Sequence, residues 1–375
     1  MNQNFSYEIN SKTFQNGIEL LFVQLGNAKS KHVIRNIELI RSMFPSIKIH
    51  CIISKHSTLE IDLPNYVNRI VYTPEKEVDK LFNANEIDLD FRKGYWRFTL
   101  ERLIAIKSAY TENSKSRFIH VESDVLLLPS FPFINFLNIE NVAWLPYDGT
   151  SDIASIMYFP SLERNLEFTE DLMSLLAVNP RLTDMQVLYK LRNLFPERYF
   201  LLPTSNSNFG NLKNPNLDSA TKLSSKFEGI FDSLPIGMWL TGIDPKNNYG
   251  FTKHFETKKI HKMQTCINPS AYSLQFVNKS GLLYQNNDKF LEIYNLHIHS
   301  KSKKIFSPKW NSEIERLILF SFRKKVYSEF SFRLFAELIF ENLAKGTLLE
   351  YMYNSPPLSF VRRINHYLKQ KFFSN

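Results

Sequence analysis

The chain predicts an α/β fold: a mostly parallel sheet followed by a helical C-terminal extension. Three observations carry this. Between residues 18 and 128, β-branched runs alternate with amphipathic helical stretches in the order strand, helix, strand, strand, helix, strand. Two of the apolar runs end in small or acidic residues, as parallel sheets do where they bind ligands at the carboxyl ends of their strands. From Lys303 to Asn375 the chain holds 13 Lys and Arg against 6 Glu and no Asp, so most of the formal charge of +9 lies in one terminal segment.

Each element has a local reason. Ile18 to Leu25 is an apolar strand that stops at Gly26-Asn27. His32 to Phe44 places Val33, Ile37, Ile40 and Phe44 at helical spacing, with Pro45 as the stop. Lys48 to Ser54 and Asn68 to Tyr72 read as strands. Tyr95 to Tyr110 reads as a helix burying Phe98, Leu103, Ile106 and Tyr110, and Phe118 to Leu128 as one further strand. Asn141 to Tyr147 and Asp152 to Phe159 form two short strands about Asp148-Gly149-Thr150. Helices are expected over Leu162 to Val178 and Thr183 to Asn193, the second capped by Thr183. After a strand near Tyr199 to Leu202, the run Pro235 to Gly250 starts as an apolar helical turn and breaks into a loop shaped by Gly, Asp and Asn.

Composition narrows the class. The 375 residues include 43% hydrophobic residues and 32 Phe, enough for a sizeable core, and no linker, repeat or low-complexity tract divides them. Cys51 and Cys266 form no metal or disulfide pattern. The polar N-terminus lacks the apolar stretch of a signal peptide, and no apolar run is long enough to span a bilayer. A cytoplasmic protein is expected, with no nucleic-acid partner. Leu358 to Phe373 puts Val361, Ile364, Leu368 and Phe372 on one helical face among basic residues. Such a helix either packs on the fold or seats the protein on the anionic inner face of the cell membrane.

The chemistry concentrates at two places. In Arg117-Phe118-Ile119-His120-Val121-Glu122-Ser123-Asp124-Val125, two carboxylates stand two residues apart at the end of an apolar strand, where they would share a face. Carboxylates held together need positive charge between them, and a divalent cation such as Mn²⁺ or Mg²⁺ takes hard oxygen ligands and bridges to phosphate. The bland alternative is two solvated acids. In Phe290 to Ser300 the alternation places Asn295, His297 and His299 on one strand face, followed by Lys301, Lys303 and Lys304. Neutral imidazoles there suit a metal, and the lysines suit a diphosphate.

The early βα pattern, Glu122-Ser123-Asp124, the helix at Asp184, the loop from Phe231 to Gly250 and the late Asn295-Leu296-His297-Ile298-His299-Ser300-Lys301 follow one order. In that order the chain resembles a bacterial branch of the nucleotide-sugar glycosyltransferases of the A-type fold, over roughly residues 18 to 305. The resemblance implies a Rossmann-like catalytic domain over residues 1–305 and a basic helical extension over 306–375. It implies a metal-dependent, hexosyltransferase-like enzyme that moves a sugar from a nucleotide-sugar donor to a glycan or lipid-linked acceptor of the cell surface. Carried onto this chain, it gives Glu122, Asp124, His297 and His299 as metal ligands. Leu25, Gly26, Asn27, Arg102, Glu122, Ser123 and Lys301 become nucleotide-sugar contacts, and Asp232, Asp244 and Asp184 the carboxylates available as an acceptor base. Glu122 replaces the commoner Asp, leaving it as a metal ligand or as a ribose or outer contact. The late segment lacks the Gly and Pro-Trp of the best-known retaining families, so the inverting or retaining outcome stays open. Arg97 and Arg102 can each reach a phosphate, although Arg97 with Glu101 also makes an i,i+4 pair. A metal-dependent nucleotidyltransferase would share the two acids but normally carries a Gly-rich phosphate loop, whereas Gly26 to Lys31 has one Gly. An inactive membrane-associated scaffold would explain the basic tail and leave the paired acids and histidines without a purpose.

Overall fold

The computed structural model describes residues 17–26, 31–55, 57, 62–83, 94–111, 115–147, 151–204, 222–241, 274–277, 281–286, 289–298 and 305–318. The strands are β1 (Ile18–Gln24), β2 (Lys48–Ser54), β3 (Val67–Tyr72), β4 (Arg117–Val121), β5 (Val125–Leu127), β6 (Val142–Pro146), β7 (Asp152–Phe159), β8 (Tyr199–Leu201), β9 (Leu274–Val277), β10 (Gly281–Asn286), β11 (Lys289–Ile293) and β12 (Asn295–His297). The helices are α1 (Lys31–Met43), α2 (Lys76–Asn83), α3 (Tyr95–Ala105), α4 (Leu162–Val178), α5 (Asp184–Leu194) and α6 (Pro235–Thr241).

Seven strands form the main sheet in the order β3-β2-β1-β4-β7-β6-β8. Within it β7 alone runs against its neighbours; the other pairs, β1 with β2 and β4, β2 with β3, and β6 with β8, are parallel. Because both faces of such a sheet are covered, its strands are apolar on both sides. Leu20, Phe22, Ile49, Cys51, Ile119, Val121 and Tyr158 pack on one face with Val33, Ile37 and Ile40 of α1. Leu21, Ile52, Phe118, Trp144, Met157 and Phe159 pack on the other with apolar residues of α2, α3, α4 and α5. The mostly parallel α/β architecture is therefore as expected. Burial alone holds the Cys51 thiol up at about 12, as suits a reduced core residue.

Local signals account for most boundaries. Thr183 caps α5 through a reciprocal capping box with Gln186, and Ser161 caps α4 by accepting the Arg164 N–H. Each such cap stabilises its helix by about 1 kcal/mol. A buried polar knot fixes α5 to the sheet: Arg192 donates to both oxygens of Asp152, at 2.8 and 3.2 Å, and the Trp144 indole donates to the same carboxylate at 2.9 Å. The helix starting at Tyr95 loosens into a 3-10 turn over Ile106–Ala109. Helix α2 adds an element that the sequence pattern passes over, a short one that buries only Val78 and Phe82.

Two expected strands are each broken in two, for one reason. The run from Phe118 to Leu128 leaves the main sheet after Val121, turns at Glu122-Ser123-Asp124 and re-enters pairing as β5. The run from Phe290 likewise divides at Tyr294 into β11, which pairs with β10, and β12, which pairs antiparallel with β5. The register sets His297 opposite Val125 and Leu296 opposite Leu126. A third core cluster lies under this ribbon: Leu126, Leu128, Leu296 and Ile298 with Ile236 and Leu240 of α6 and Trp310, Ile314 and Ile318. The rest of the basic tail, including the amphipathic stretch from Leu358, lies outside the described residues. No helix among the described residues is long and apolar enough to cross a membrane.

At the amino end of the sheet Glu19 gathers three donors. The His50 Nε2 stands 2.5 Å away, Lys48 Nζ donates at 3.1 Å and Ser116 Oγ at 3.0 Å. Burial alone would raise this carboxyl, but His50, Lys48 and Ser116 outweigh it and hold it at about 2 against an ordinary 4.5. A depressed carboxyl contributes stability above its unfolded value and loses it as the pH falls toward the folded one. Glu19→Gln is therefore expected to cost about 2 kcal/mol at neutral pH. In urea unfolding, the gap to the parent protein should narrow between pH 5 and pH 2; a gap constant with pH would contradict this account.

Candidate active site

The site is built where β4 leaves the main sheet. At Glu122 the backbone still donates to Ser155 O of β7 at 3.0 Å, and Val125 N–H closes the turn on Glu122 O at 3.1 Å. Asn36, fully buried on α1, clamps the turn by donating to Ser123 O at 3.2 Å and Val125 O at 2.7 Å. Asp124 O accepts from Ile298 N–H at 2.7 Å, so the far end of β12 is tied to the same turn. The two acids therefore share a side because a clamped turn puts them there, and not through the alternation of a continuous strand.

His297 is held opposite. Its backbone N–H donates to Asp232 Oδ2 at 3.0 Å, and its Nδ1 lies 2.8 Å from Ser233 O. A carbonyl only accepts, so Nδ1 carries the proton and Nε2 is the nitrogen turned to the acids. That nitrogen lies 3.6 Å from Asp124 Oδ1 and 3.8 Å from Glu122 Oε2. One ligand atom from each of the three residues falls within 4.8 Å of the others. Burial would lower the imidazole pKa, but the charges of Asp124 and Glu122 outweigh it and raise it to about 9.

A second layer compensates the acids. Arg102 of α3 donates one Nη to Glu122 Oε1 and the other to Asp184 Oδ2, the latter at 3.3 Å. Burial would lower the guanidinium pKa, and its two carboxylate partners raise it above its ordinary value. Asp184, the first residue of α5, is pushed up by burial and opposed by Arg102. Beneath them His120 is buried on β4 and held at about 3 by that burial and by Arg102, so it is neutral. Its Nδ1 lies 3.1 Å from Leu21 O.

The expected site residues separate into four groups. Glu122, Asp124, His297, Arg102 and Asp184 are brought together, with Ser123 in the turn between the acids. Arg102 meets carboxylates there, although a phosphate was the expected partner. Gly26, at the end of β1 beside the buried Leu25, has φ of 78° and donates its N–H to Ser54 Oγ at 2.9 Å. A Cβ there would come within 2.7 Å of the Phe98 ring, so the position requires glycine. Next to it lies a cavity of about 280 Å³ lined by Ser54, Lys55, Tyr72, Arg97, Phe98 and Glu101, among others. Arg97 is committed to Glu101 at 3.0 Å and Asp79 at 2.7 Å, as its i,i+4 spacing suggests. Asp232 is displaced from its expected place. Far from facing an acceptor, it is fully buried, and its carboxylate accepts Ile236 N–H at 3.0 Å, Gly237 N–H at 2.7 Å and His297 N–H at 3.0 Å. Pro235 opens the helical turn expected there, and its first amides need an acceptor, which Asp232 provides. Asn27, Asp244, His299 and Lys301 lie outside the described residues.

Sequence reasoning missed Asn36, His120 and Ser233. The first two had a signal: each is a polar residue inside an apolar pattern, Asn36 beside Ile37 on the buried stripe of α1 and His120 within a core strand. Ser233 acts through its carbonyl, which no sequence pattern marks.

No protein-family model and no curated protein matches the chain. Among solved structures it is similar to the galactosyltransferase LgtC in complex with donor and acceptor sugar analogs, at 11% identity over 54% of this chain and 82% of that one, with a TM-score of 0.38. It is also similar to mouse xyloside xylosyltransferase 1 in its apo form, at 12% identity over 54% and 92% of the two chains and a TM-score of 0.32. A third similarity is to the glycosyltransferase GlyE of Streptococcus pneumoniae TIGR4, at 14% identity over 82% and 64% of the chains and a TM-score of 0.35.

Among the described residues, the Arg102 guanidinium meets both Glu122 and Asp184. Removing one partner of a buried charge network leaves the others uncompensated. Arg102→Met should therefore lower the unfolding free energy by about 3 kcal/mol at neutral pH. A loss under about 1 kcal/mol, the scale of an exposed pair, would show that solvent already screens these acids.

Proposed function

We propose that the protein is a metal-dependent glycosyltransferase that moves a sugar from a nucleotide-sugar donor to a glycan or lipid-linked acceptor. The observation that carries the reading is the convergence of Glu122, Asp124 and His297 beside the carboxyl ends of β1 and β4. Strand order runs away from β1 in both directions there, which makes this the switch point where open α/β sheets bind ligands. The residue order noted in the sequence adds the sugar-transfer chemistry to that geometry.

The donor set fits a hard or borderline divalent cation. Two carboxylate oxygens and one imidazole nitrogen suit Mn²⁺, and Mg²⁺ less well because of the nitrogen. Bound there, the cation would supply positive charge against the negative charge that develops on a departing diphosphate. The remaining work falls to the chain. Arg102 takes one oxygen of Glu122 and leaves Oε2 on the side of His297. Ser233 holds the tautomer that directs His297 Nε2 inward. The cavity beside Gly26 gives the nucleoside a place next to the end of β1, and Lys301 would meet the diphosphate. Asp184, buried and paired with Arg102, is one candidate for an acceptor base in an inverting reaction. Asp244 is the other candidate, and with Asp232 committed to backbone amides the choice lies between these two.

Thermal shift with UDP, GDP and CMP, each with and without Mn²⁺, tests the reading. One nucleotide is expected to stabilise the parent protein only when Mn²⁺ is present. Asp124→Asn should lose that shift while keeping its own cooperative transition. Equal stabilisation of both proteins by nucleotide and metal would remove Asp124 from the site.

The basic tail fits the same reading if it brings the enzyme to lipid-linked acceptors at the membrane face. Each Lys or Arg near an anionic surface contributes about 1 kcal/mol, and the attraction is screened over roughly 8 Å at physiological salt. The protein should therefore sediment with liposomes holding anionic lipid at low salt and be released as salt rises. Equal recovery in the supernatant with neutral and anionic liposomes would assign the tail to packing alone.

A further inference from the structure

We infer that Asp232 is a positioning residue for His297, fixing its backbone so that Nε2 faces Glu122 and Asp124. This rests on the reading that these three side chains hold a divalent cation. The arrangement is specific. Asp232 Oδ2 accepts both the His297 N–H, at 3.0 Å, and the Gly237 N–H, at 2.7 Å, so one oxygen joins β12 to α6. Oδ1 accepts Ile236 N–H at 3.0 Å. On the backbone side, Asp232 N–H donates to Asn295 Oδ1 at 3.1 Å and Asp232 O accepts from Asn295 Nδ2 at 2.9 Å. The next carbonyl, that of Ser233, takes the His297 Nδ1 proton.

Residues 232 and 233 thus hold His297 at two points, its main-chain nitrogen and the ring nitrogen remote from the acids. Main chain and ring together leave the imidazole little freedom, as outer partners of metal-binding histidines do. Packing reinforces the clamp. A Cβ on Gly237 would lie 2.1 Å from His297 O and 2.9 Å from Asp232 Oδ2, so α6 approaches β12 as closely as backbones allow. A carboxylate that served only to cap α6 would need the Ile236 and Gly237 amides and not that of His297. Asn at 232 keeps the shape but replaces one accepting oxygen with a donor, which opposes an N–H.

The test compares Asp232→Asn with Asp152→Asn, which disturbs an equally buried carboxylate in the Arg192–Trp144 knot, apart from the three candidate ligands. Free Mn²⁺ is followed by electron paramagnetic resonance, and the slowly exchanging His297 ring N–H by proton–nitrogen NMR without metal. Asp232→Asn should raise the Mn²⁺ dissociation constant by at least about tenfold and lose the protected ring N–H. Asp152→Asn should lower the melting temperature yet stay within about twofold of the parent in Mn²⁺ affinity. Equal losses of affinity in the two variants, or a ring N–H unchanged in Asp232→Asn, would overturn the inference. Absence of Mn²⁺ binding by the parent protein would overturn the cation reading alone, leaving the ring N–H to decide the positioning role. Should Asp232→Asn not fold, Asn295→Ala carries the test. It loosens the Asp232 backbone without touching the carboxylate, and unchanged Mn²⁺ affinity and ring N–H there would equally overturn the inference.

Discussion

Like charges brought close together in a partly dry place set the constraint on which this structure turns. Glu122, Asp124 and Asp184 are all largely removed from water, and their repulsion grows as water withdraws. Arg102 answers two of them by lying between Glu122 and Asp184, and His297 faces Asp124 together with Glu122. Much of the architecture delivers these two compensating groups. Helix α3 carries Arg102, α5 begins with Asp184, and α6 with β12 brings in His297.

Among the described residues Arg102 is a fixed cation on one side, and on the other stands the His297 imidazole, whose charged form the facing acids favour. A cluster held in this way tolerates exchange of a proton for another positive charge, because metal uptake by histidine displaces protons. A guanidinium in the place of His297 would satisfy the acids permanently. An apolar residue would leave them to repel.

Much of this was legible in the sequence, and the exceptions have physical causes. Apart from α2 and the break between β4 and β5, the strands and helices of the first 200 residues follow from periodicity, because sheet and helices cover one another. The pairing of Glu122 with Asp124 was visible as spacing, but its backbone cause was not: the turn depends on Asn36, which lies far away along the chain. His297 was marked by its spacing and does meet Glu122 and Asp124, whereas the burial of Asp232 was not foreseen. The run Pro235 to Gly250 reads as an apolar helical turn that breaks into a loop, and Asp232 just before it reads as a carboxylate lining a cleft. A carboxylate that serves buried amides has the same local sequence as one that serves solvent, since the difference lies in what packs above it.

The β5–β12 ribbon has a consequence in time as well as space. Its strands are Val125–Leu127 and Asn295–His297, so it forms only after most of the chain is available. The strands of the main sheet end at Leu201 and can pair beforehand. Before that ribbon forms, Glu122 and Asp124 therefore stand at the carboxyl end of the central strand β4 with Arg102 and without His297. Closing so long a loop is slow, and the contacts that favour it come last. The order of assembly keeps an incomplete chain from presenting a finished site: a ribosome-bound or truncated product that stops before β12 can own the whole sheet and still lack the histidine.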